Sequence, residues 1–354
     1  MTKVIVAMSG GVDSSVAAAL LKQKGYEVIG MMLRLWSEPG KEDSNRCCTP
    51  DSLAMARRVA AKLDIPFYVV DAKEIFRKKV VRYFVDEYAR GMTPNPCLVC
   101  NRHIRWGFLL DHALALGANF LATGHYVRRE EAKGGGIELR RAADRSKDQS
   151  YVLYTMTQEK LARSLFPIGD YPKAEVRRLA SSFDLPTATR ADSQDLCFLS
   201  GEDYREFLRR NAPEIARPGP ILTRAGKVLG EHQGLACYTI GQRKGLGVHS
   251  SQPMYVLAKE ISANTLVVGT KSELGKAGLS VVDVNWVSGV LPAQPFRAEV
   301  KIRYTARQVP AEVSPFGYNQ AGVRFDEPQR DITPGQAAVF YDGDLLLGGG
   351  IIAC

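Results

Sequence analysis

The run Met8-Ser9-Gly10-Gly11-Val12-Asp13-Ser14-Ser15 brings together two glycines, three hydroxyls and a carboxylate, a set that can hold a polyphosphate. Adjacent glycines let backbone N–H groups close on an anion, and a helix beginning there adds unpaired donors and a positive dipole end. Ser9, Ser14 and Ser15 can donate to phosphate oxygens, while Asp13 can hold Mg²⁺ or a ribose-side partner. No Gly-Lys-Ser/Thr follows, so this is not a Walker loop. A turn needed only for strand–helix packing is the competing reading of the glycines. A second chemistry lies in Thr93-Pro94-Asn95-Pro96-Cys97-Leu98-Val99-Cys100-Asn101 and, far away, in Asp192-Ser193-Gln194-Asp195-Leu196-Cys197-Phe198. A thiol at a helix start beside Arg102, His103 and Arg105 is expected to be acidified and partly thiolate. Cys97-x-x-Cys100 alone also suits half a zinc site or a redox pair. With no second Cys-x-x-Cys in the chain, a four-thiolate site would need scattered ligands. Cys197 alone also suits burial as a small hydrophobe.

The elements that must position these residues follow from periodicity. Val4 to Met8, Glu27 to Leu33, Phe67 to Val70 and Phe120 to Thr123 read as strands. Ser14 to Lys24, Ser52 to Leu63 (capped by Asp51) and Phe108 to Leu116 read as helices, with another entered around Arg102. Alternation of this kind predicts an α/β fold, a parallel sheet covered on both faces, with ligands beyond the carboxyl ends of its strands. After about residue 205 the helical period fades. Arg217-Pro218-Gly219-Pro220 breaks the chain, and Ala298, Val300, Ile302 and Tyr304 alternate with polar residues, as do Val323 and Phe325, and Val339 and Tyr341. That pattern predicts a small β-barrel from about residue 273. Gly134-Gly135-Gly136 reads as a flexible surface loop.

Composition bounds the class. The 354 residues are 45% hydrophobic and 24% charged, which excludes a mainly disordered chain and predicts two or three domains. The longest apolar runs are far below the ~20 residues of a membrane span, and Lys3 leads straight into a strand with no cleavage pattern. A cytoplasmic chain with no membrane partner is expected. Lys and Arg outnumber Asp and Glu by 47 to 38, a net +9. The excess is about 31 against 25 up to Arg205 and about 16 against 13 beyond it, so it is a broad field suited to a polyanion.

The glycine turn resembles the pyrophosphatase loop of enzymes that split ATP into AMP and pyrophosphate. Taken with Ala122-Thr123-Gly124-His125-Tyr126, Lys147-Asp148-Gln149-Ser150-Tyr151, Ser193 to Phe198, Tyr238 to Gly247, Arg303-Tyr304 and Gly335-Gln336, the whole chain resembles the bacterial MnmA-type tRNA-specific 2-thiouridylases. The resemblance implies an adenine nucleotide alpha hydrolase-like catalytic domain over residues 1–205, a small central domain over 206–272 and a C-terminal β-barrel over 273–354. It implies ATP held by Ala7, Met8, Ser9, Gly10, Gly11, Val12, Asp13, Ser14, Leu33 and Gly124, with Mg²⁺ at Asp13. It also implies that ATP adenylates the 2-carbonyl oxygen of a wobble uridine. Cys197 would carry sulfur as a persulfide received from a donor protein, a cysteine desulfurase or its relay, and Cys100 would be the nucleophile that releases it.

Contacts with tRNA are implied for Asn95, Pro96, Cys97, His125, Lys147, Asp148, Gln149, Arg303, Tyr304 and Gln336. Arg140, Arg141 and Arg145 add a basic cluster. Plainer roles stay open for several of these: His125 as a strand end, Lys147 as a solvated charge, Tyr304 as a barrel-core residue. One position departs from the family, since many members carry Asp, with a proton-transfer role, where this chain has Cys97. Cys97, Cys100 and Cys197 therefore also suit a [4Fe–4S] cluster with one open iron. Cys47, Cys48, Cys237 and Cys354 receive no role. Two rival readings remain: a synthetase ligating a small molecule with the same loop, and a nucleotide-sensing RNA-binding protein without catalysis.

Overall fold

The computed structural model describes residues 1–40, 49–191, 196–199 and 201–353; Cys47, Cys48, Ser193, Gln194, Asp195 and Cys354 lie outside the described residues. Seven strands precede residue 170: β1 (Lys3–Ala7), β2 (Glu27–Arg34), β3 (Phe67–Asp71), β4 (Phe120–Ala122), β5 (Val127–Glu131), β6 (Ile137–Arg141) and β7 (Ser164–Leu165). Five of them form a parallel sheet in the order β3-β2-β1-β4-β7. Central β1 sets Val6 opposite Gly30 on one side and Ala122 on the other. Val4, Ile5 and Val6 are fully buried, as a strand covered on both faces requires.

Helix α1 (Val12–Gln23) packs Val16, Ala17 and Leu20 into that core. Helix α2 (Pro50–Lys62) starts two residues before the expected Ser52, and its cap is Thr49, whose hydroxyl accepts from Ser52 N at 3.0 Å. Proline needs no amide partner at the first helical position, so the cap moves outward from Asp51, which pairs with Arg190 at 2.7 Å. Helix α3 (Lys73–Phe76), a wide-turned π-type segment (Arg77–Val81) and α4 (Arg82–Ala89) follow one another with helical dihedrals at each junction. Likewise α5 (Pro96–Val99), a π-type segment (Cys100–Leu109) and α6 (Leu110–Ala115) make one helix where two were expected. It begins at Pro96 because Asn95 caps it, its side-chain oxygen accepting from Cys97 N at 3.1 Å.

Beyond α7 (Gln158–Ala162), α8 (Lys173–Ser182) and α9 (Tyr204–Asn211), β8 (Gly219–Thr223), β9 (Val228–His232), β10 (Tyr255–Glu260) and β11 (Thr265–Gly269) form a four-stranded sheet in the order β10-β11-β8-β9. The remaining strands are β12 (Lys276–Trp286), β13 (Phe296–Lys301), β14 (Val309–Pro315), β15 (Gln320–Gln329), β16 (Ala337–Asp342) and β17 (Leu345–Ile352). They run in the order β12-β15-β14-β13-β16-β17, and β12 pairs with β17 to close a barrel. No helix among the described residues is long and apolar enough to cross a membrane.

Three expectations change. Ala337, Val339 and Tyr341 of β16 do not fill the barrel; they pack on Trp106, Tyr151 and Leu153 of the parallel-sheet domain, while Ala338 and Phe340 face the barrel core. Tyr304 is not a barrel-core residue but 40% exposed, because β13 ends at Lys301 and the inward alternation runs out at Ile302. Finally, Gly135 and Gly136, both at positive φ, turn the β5–β6 hairpin, which leaves the catalytic sheet and joins the barrel through Leu345 opposite Arg140.

Candidate active site

The glycine turn, the end of β2 and the residues after β4 meet in one cleft of about 180 Å³ beyond the carboxyl ends of the parallel strands. Ala7, Met8, Ser9, Asp13, Ser14, Leu33 and Gly124 all line it. Two glycines make this approach possible. Gly10 has φ +73° and sits against the Ser52 carbonyl, where a Cβ would clash. A Cβ on Gly124 would lie 2.7 Å from Ser14 N, so only glycine lets β4 come this close to the start of α1. The first amides of α1 have no carbonyl to bond within the helix and are available to an anion. Ser14 and Ser15 donate back to Gly11 O at 3.2 and 2.8 Å, and Ser9 N donates to Ser14 Oγ at 3.2 Å.

Asp13 is already partnered. Lys173 Nζ donates to both of its carboxylate oxygens at 2.8 and 2.9 Å, and Tyr126 OH donates to one at 2.6 Å. A magnesium ion at Asp13 would have to displace a mostly buried lysine, so these residues do not make a ready metal site. Lys173 was not among the expected site residues. Its signal in the sequence is a cation in the first turn of α8, where the helix dipole favours carboxylates.

His125 is buried in the wall of the same cleft. Burial, with Arg105 beside it, holds its pKa well below the usual histidine value, so the ring is neutral. Arg105 can only donate, so its Nη1 donates to His125 Nε2 at 3.0 Å. The proton therefore sits on Nδ1, which donates to Thr123 Oγ1 at 2.7 Å. Arg105 also donates to Asn101 Oδ1 at 3.3 Å, and Asn101 Nδ2 to Cys97 O at 3.0 Å. A continuous chain of hydrogen bonds thus links the cysteine loop to the cleft at the glycine turn. Neither Asn101 nor Arg105 was singled out as a site residue from sequence.

Cys97 is exposed at the start of the cysteine helix, while Cys100 is half-buried one turn on. Cys100 and Cys197 pack against one apolar cluster built on Phe76, Phe84, Ile104 and Phe207. Phe198 anchors the Cys197 segment there, edge-on to Phe84 at 5.2 Å and Phe207 at 5.5 Å, contacts each adding ~1 kcal/mol to the area buried. Among the described residues no group of three or more His, Cys, Asp or Glu side chains converges to hold a metal ion. In this arrangement the three thiols do not fit a [4Fe–4S] cluster.

The barrel reaches the same loop. Gln336 Nε2 donates to Thr93 O at 2.7 Å, Thr93 N to Pro334 O at 2.9 Å, and Gly335 sits too close to Thr93 for any Cβ. The phenol pKa of Tyr304 is raised, first by burial and then by Asp148 and Cys97. Lys301 Nζ lies over the ring at 5.5 Å. The other residues expected at RNA vary in access. Asp148 is buried, accepting from Arg141 Nε, Ala142 N, Ser150 N and Ser150 Oγ at 2.9–3.2 Å. Arg141 is thereby committed to Asp148, Arg140 to Glu130 and Glu138, and Arg145 to Asp344. Gln149 lines the nucleotide cleft and accepts from Tyr126 N at 3.0 Å. Arg303 bridges the barrel to the central sheet, donating to Ile240 O at 2.9 Å and to Thr333 Oγ1. Lys147 is half-buried in the turn after Asp144.

Residues 2–201 match the family model described as tRNA methyl transferase HUP domain, 205–270 its PRC-barrel domain, and 276–352 the aminomethyltransferase beta-barrel domain. A protein of Roseiflexus castenholzii named tRNA-specific 2-thiouridylase MnmA is 49% identical over 371 residues, covering all of both chains. One of the same name from Moorella thermoacetica is 49% identical over 352 residues, 98% of each. A solved structure, a predicted subunit of tRNA methyltransferase from Methanocaldococcus jannaschii, covers 60% of this chain and 88% of its own at 19% identity and a TM-score of 0.34, too slight a likeness to bear on function.

Proposed function

The chain belongs to the MnmA family of tRNA-specific 2-thiouridylases, and from that premise we propose how this tRNA-uridine 2-sulfurtransferase exchanges the 2-oxygen of a wobble uridine for sulfur. ATP lies across the glycine turn, with its phosphates on the amides that open α1 and its base and ribose toward Leu33 and Gly124. The uridine 2-oxygen attacks the α-phosphorus, pyrophosphate leaves with the bonding pair, and the base carries AMP as a good leaving group. Lys173 is set to move from Asp13 to the departing pyrophosphate, where it neutralises developing charge. Magnesium would enter bound to ATP and would shield the triphosphate's charge.

A donor protein loads one sulfur onto Cys197 as a persulfide. Its terminal sulfur adds to C2, the Cys100 thiolate attacks Cys197 Sγ, the S–S bond breaks toward the added sulfur, and AMP departs. The Cys100–Cys197 disulfide left behind takes two electrons and two protons from a thiol reductant before the next turnover. The observation carrying this reading is that Cys100 and Cys197, remote in sequence, pack on one aromatic cluster. The helix that begins beside Cys100 also carries Arg105 and Leu109 into the nucleotide cleft.

The experiment is nucleoside analysis of tRNA after incubation with ATP and a persulfide donor. Cys197→Ser is expected to abolish 2-thiouridine while ATP and tRNA binding persist. Retained thiolation in that variant overturns the cysteine assignment.

A further inference from the structure

The helix from Pro96 to Ala115 has a second face. Opposite the nucleotide cleft, Arg102 and His103 turn into a groove of about 540 Å³ whose other wall is the α3–α4 helix, with Lys78, Lys79 and Arg82. Arg82 is paired with Asp86 at 3.6 Å, and Arg90 at the groove's end with Glu87 at 3.2 Å. Lys78, Lys79 and Arg102 are exposed and have no ion-pair partner among the described residues. The charges of Arg102 and Lys79 register on their neighbours. The pKa of His103 is lowered, first by burial and then by Arg102, Lys79 and Lys160; that of Lys160 is lowered by burial and Arg102. The groove's lining holds Lys78, Lys79, Arg82, Arg90 and Arg102 against Asp86, Glu87 and Asp283, and two of those carboxylates are already paired with Arg82 and Arg90, so the cation excess favours an incoming anion.

The third wall comes from the barrel, through Asp283 and Ile351. Next to Asp283, Val284 N donates to Asn319 O at 3.1 Å, which ties the β14–β15 turn to this edge. That turn carries Phe316 and Tyr318, 63% and 73% exposed. Spaced cations, with exposed rings on the turn bonded next to Asp283, match the way RNA is held: phosphates on the cations, an unpaired base against a ring. A protein partner would instead be expected to present an apolar core to the groove, and the groove's free walls are charged.

We propose that this groove binds the sugar-phosphate backbone of the tRNA substrate at a point away from the target uridine, with Lys78, Lys79 and Arg102 on phosphates and the Phe316–Tyr318 turn against an unpaired base. The proposal rests on the reading of the chain as a tRNA-thiolating enzyme and adds a contact surface on the back of the cysteine helix.

Binding of full-length tRNA to Lys78→Ala/Lys79→Ala, followed across salt concentrations, tests it. Each lost phosphate contact lowers the slope of log affinity against log salt by about 0.7–0.9, so the double variant should lose about 1.4–1.8. Its KM for tRNA should rise about tenfold near physiological salt, with kcat and ATP affinity unchanged. Phe316→Ala/Tyr318→Ala should weaken binding severalfold with the slope unchanged. An unaltered slope and KM in the lysine variant overturns the proposal. So does a variant that binds tRNA normally and thiolates with inorganic sulfide, but fails with a persulfide donor protein, for the groove would then dock the donor. Wild-type enzyme that binds tRNA yet never thiolates it defeats the functional reading instead, and the salt slope still judges the groove.

Discussion

One helix, Pro96 to Ala115, separates two regions that treat charge in opposite ways. On the cleft side the polar groups are answered: the Asp13 carboxylate by Lys173 and Tyr126, the neutral His125 ring by Arg105 and Thr123. On the groove side Lys78, Lys79 and Arg102 are exposed and form no ion pair among the described residues, although Asp283 stands in the facing wall. A closed network fixes donors and acceptors to within tenths of an ångström, which suits a small ligand whose phosphorus must meet an oxygen in line. An open set of cations fixes nothing so finely, but it adds affinity for any chain of phosphates and loses it as salt rises. The molecule thus separates positioning from grip.

The largest way to break this contrast is at Lys173. Replacement by Met leaves the Asp13 carboxylate without its cation beside three phosphates, turning an answered charge into a repulsive one. Loss of such a transition-state donor typically lowers kcat by about 100- to 1,000-fold. The expected result is that drop in pyrophosphate release at saturating ATP, with tRNA affinity intact and partial recovery in Lys173→Arg. A variant with normal kcat removes Lys173 from the reaction.

His125 sharpens the contrast through pH. Its pKa in the folded protein lies well below the ordinary 6.5, with burial the larger cause and Arg105 the second. Below pH 6.5 the unfolded chain takes up a proton that the folded site refuses, so stability is constant above 6.5 and falls as pH drops toward the folded pKa. The loss is about 1.4 kcal/mol per pH unit. Denaturant unfolding between pH 6.5 and 5.5 should show this slope in wild type and lose most of it in His125→Gln. The same change at exposed His103, whose shift comes partly from neighbouring cations, should alter the slope far less. Equal slopes in wild type and His125→Gln would mean the ring is not held neutral.

Legibility in the sequence followed the range of each interaction. The glycine turn could be read because a buried strand, a Gly-Gly pair and a helix start are neighbours in the chain; Leu33 and Gly124, named through the resemblance, line the same cleft because the parallel sheet brings the ends of β2 and β4 beside that turn. Lys173 could not, because its partner Asp13 is remote and a lone lysine reads as solvated charge; only its place in the first turn of a helix was anomalous. Val339 and Tyr341 show another limit. Alternation reports that a face is buried but not which of two cores it meets. The β5–β6 hairpin escaped for a related reason, since Arg-Arg-Glu-Glu has no apolar rhythm and is held by pairing with a barrel that comes two hundred residues later. The thiols were legible as chemistry and not as geometry: no spacing rule says that Cys97 is exposed while Cys100 shares an aromatic cluster with Cys197.

The smallest expected effect falls where the barrel touches the cysteine loop, between the two regions. Gln336 donates to Thr93 O, but Thr93 N is bonded independently to Pro334 O, so Gln336→Ala removes one of two ties. A single hydrogen bond of this kind is worth about 1 kcal/mol, enough to lower the melting temperature by a few degrees and raise KM for tRNA about fivefold. Both shifts should appear together, with kcat unchanged, if Gln336 acts by holding the loop. A KM that rises without any change in melting temperature would put the amide on the RNA itself, and the barrel would then belong with the gripping surface and not with the positioning one.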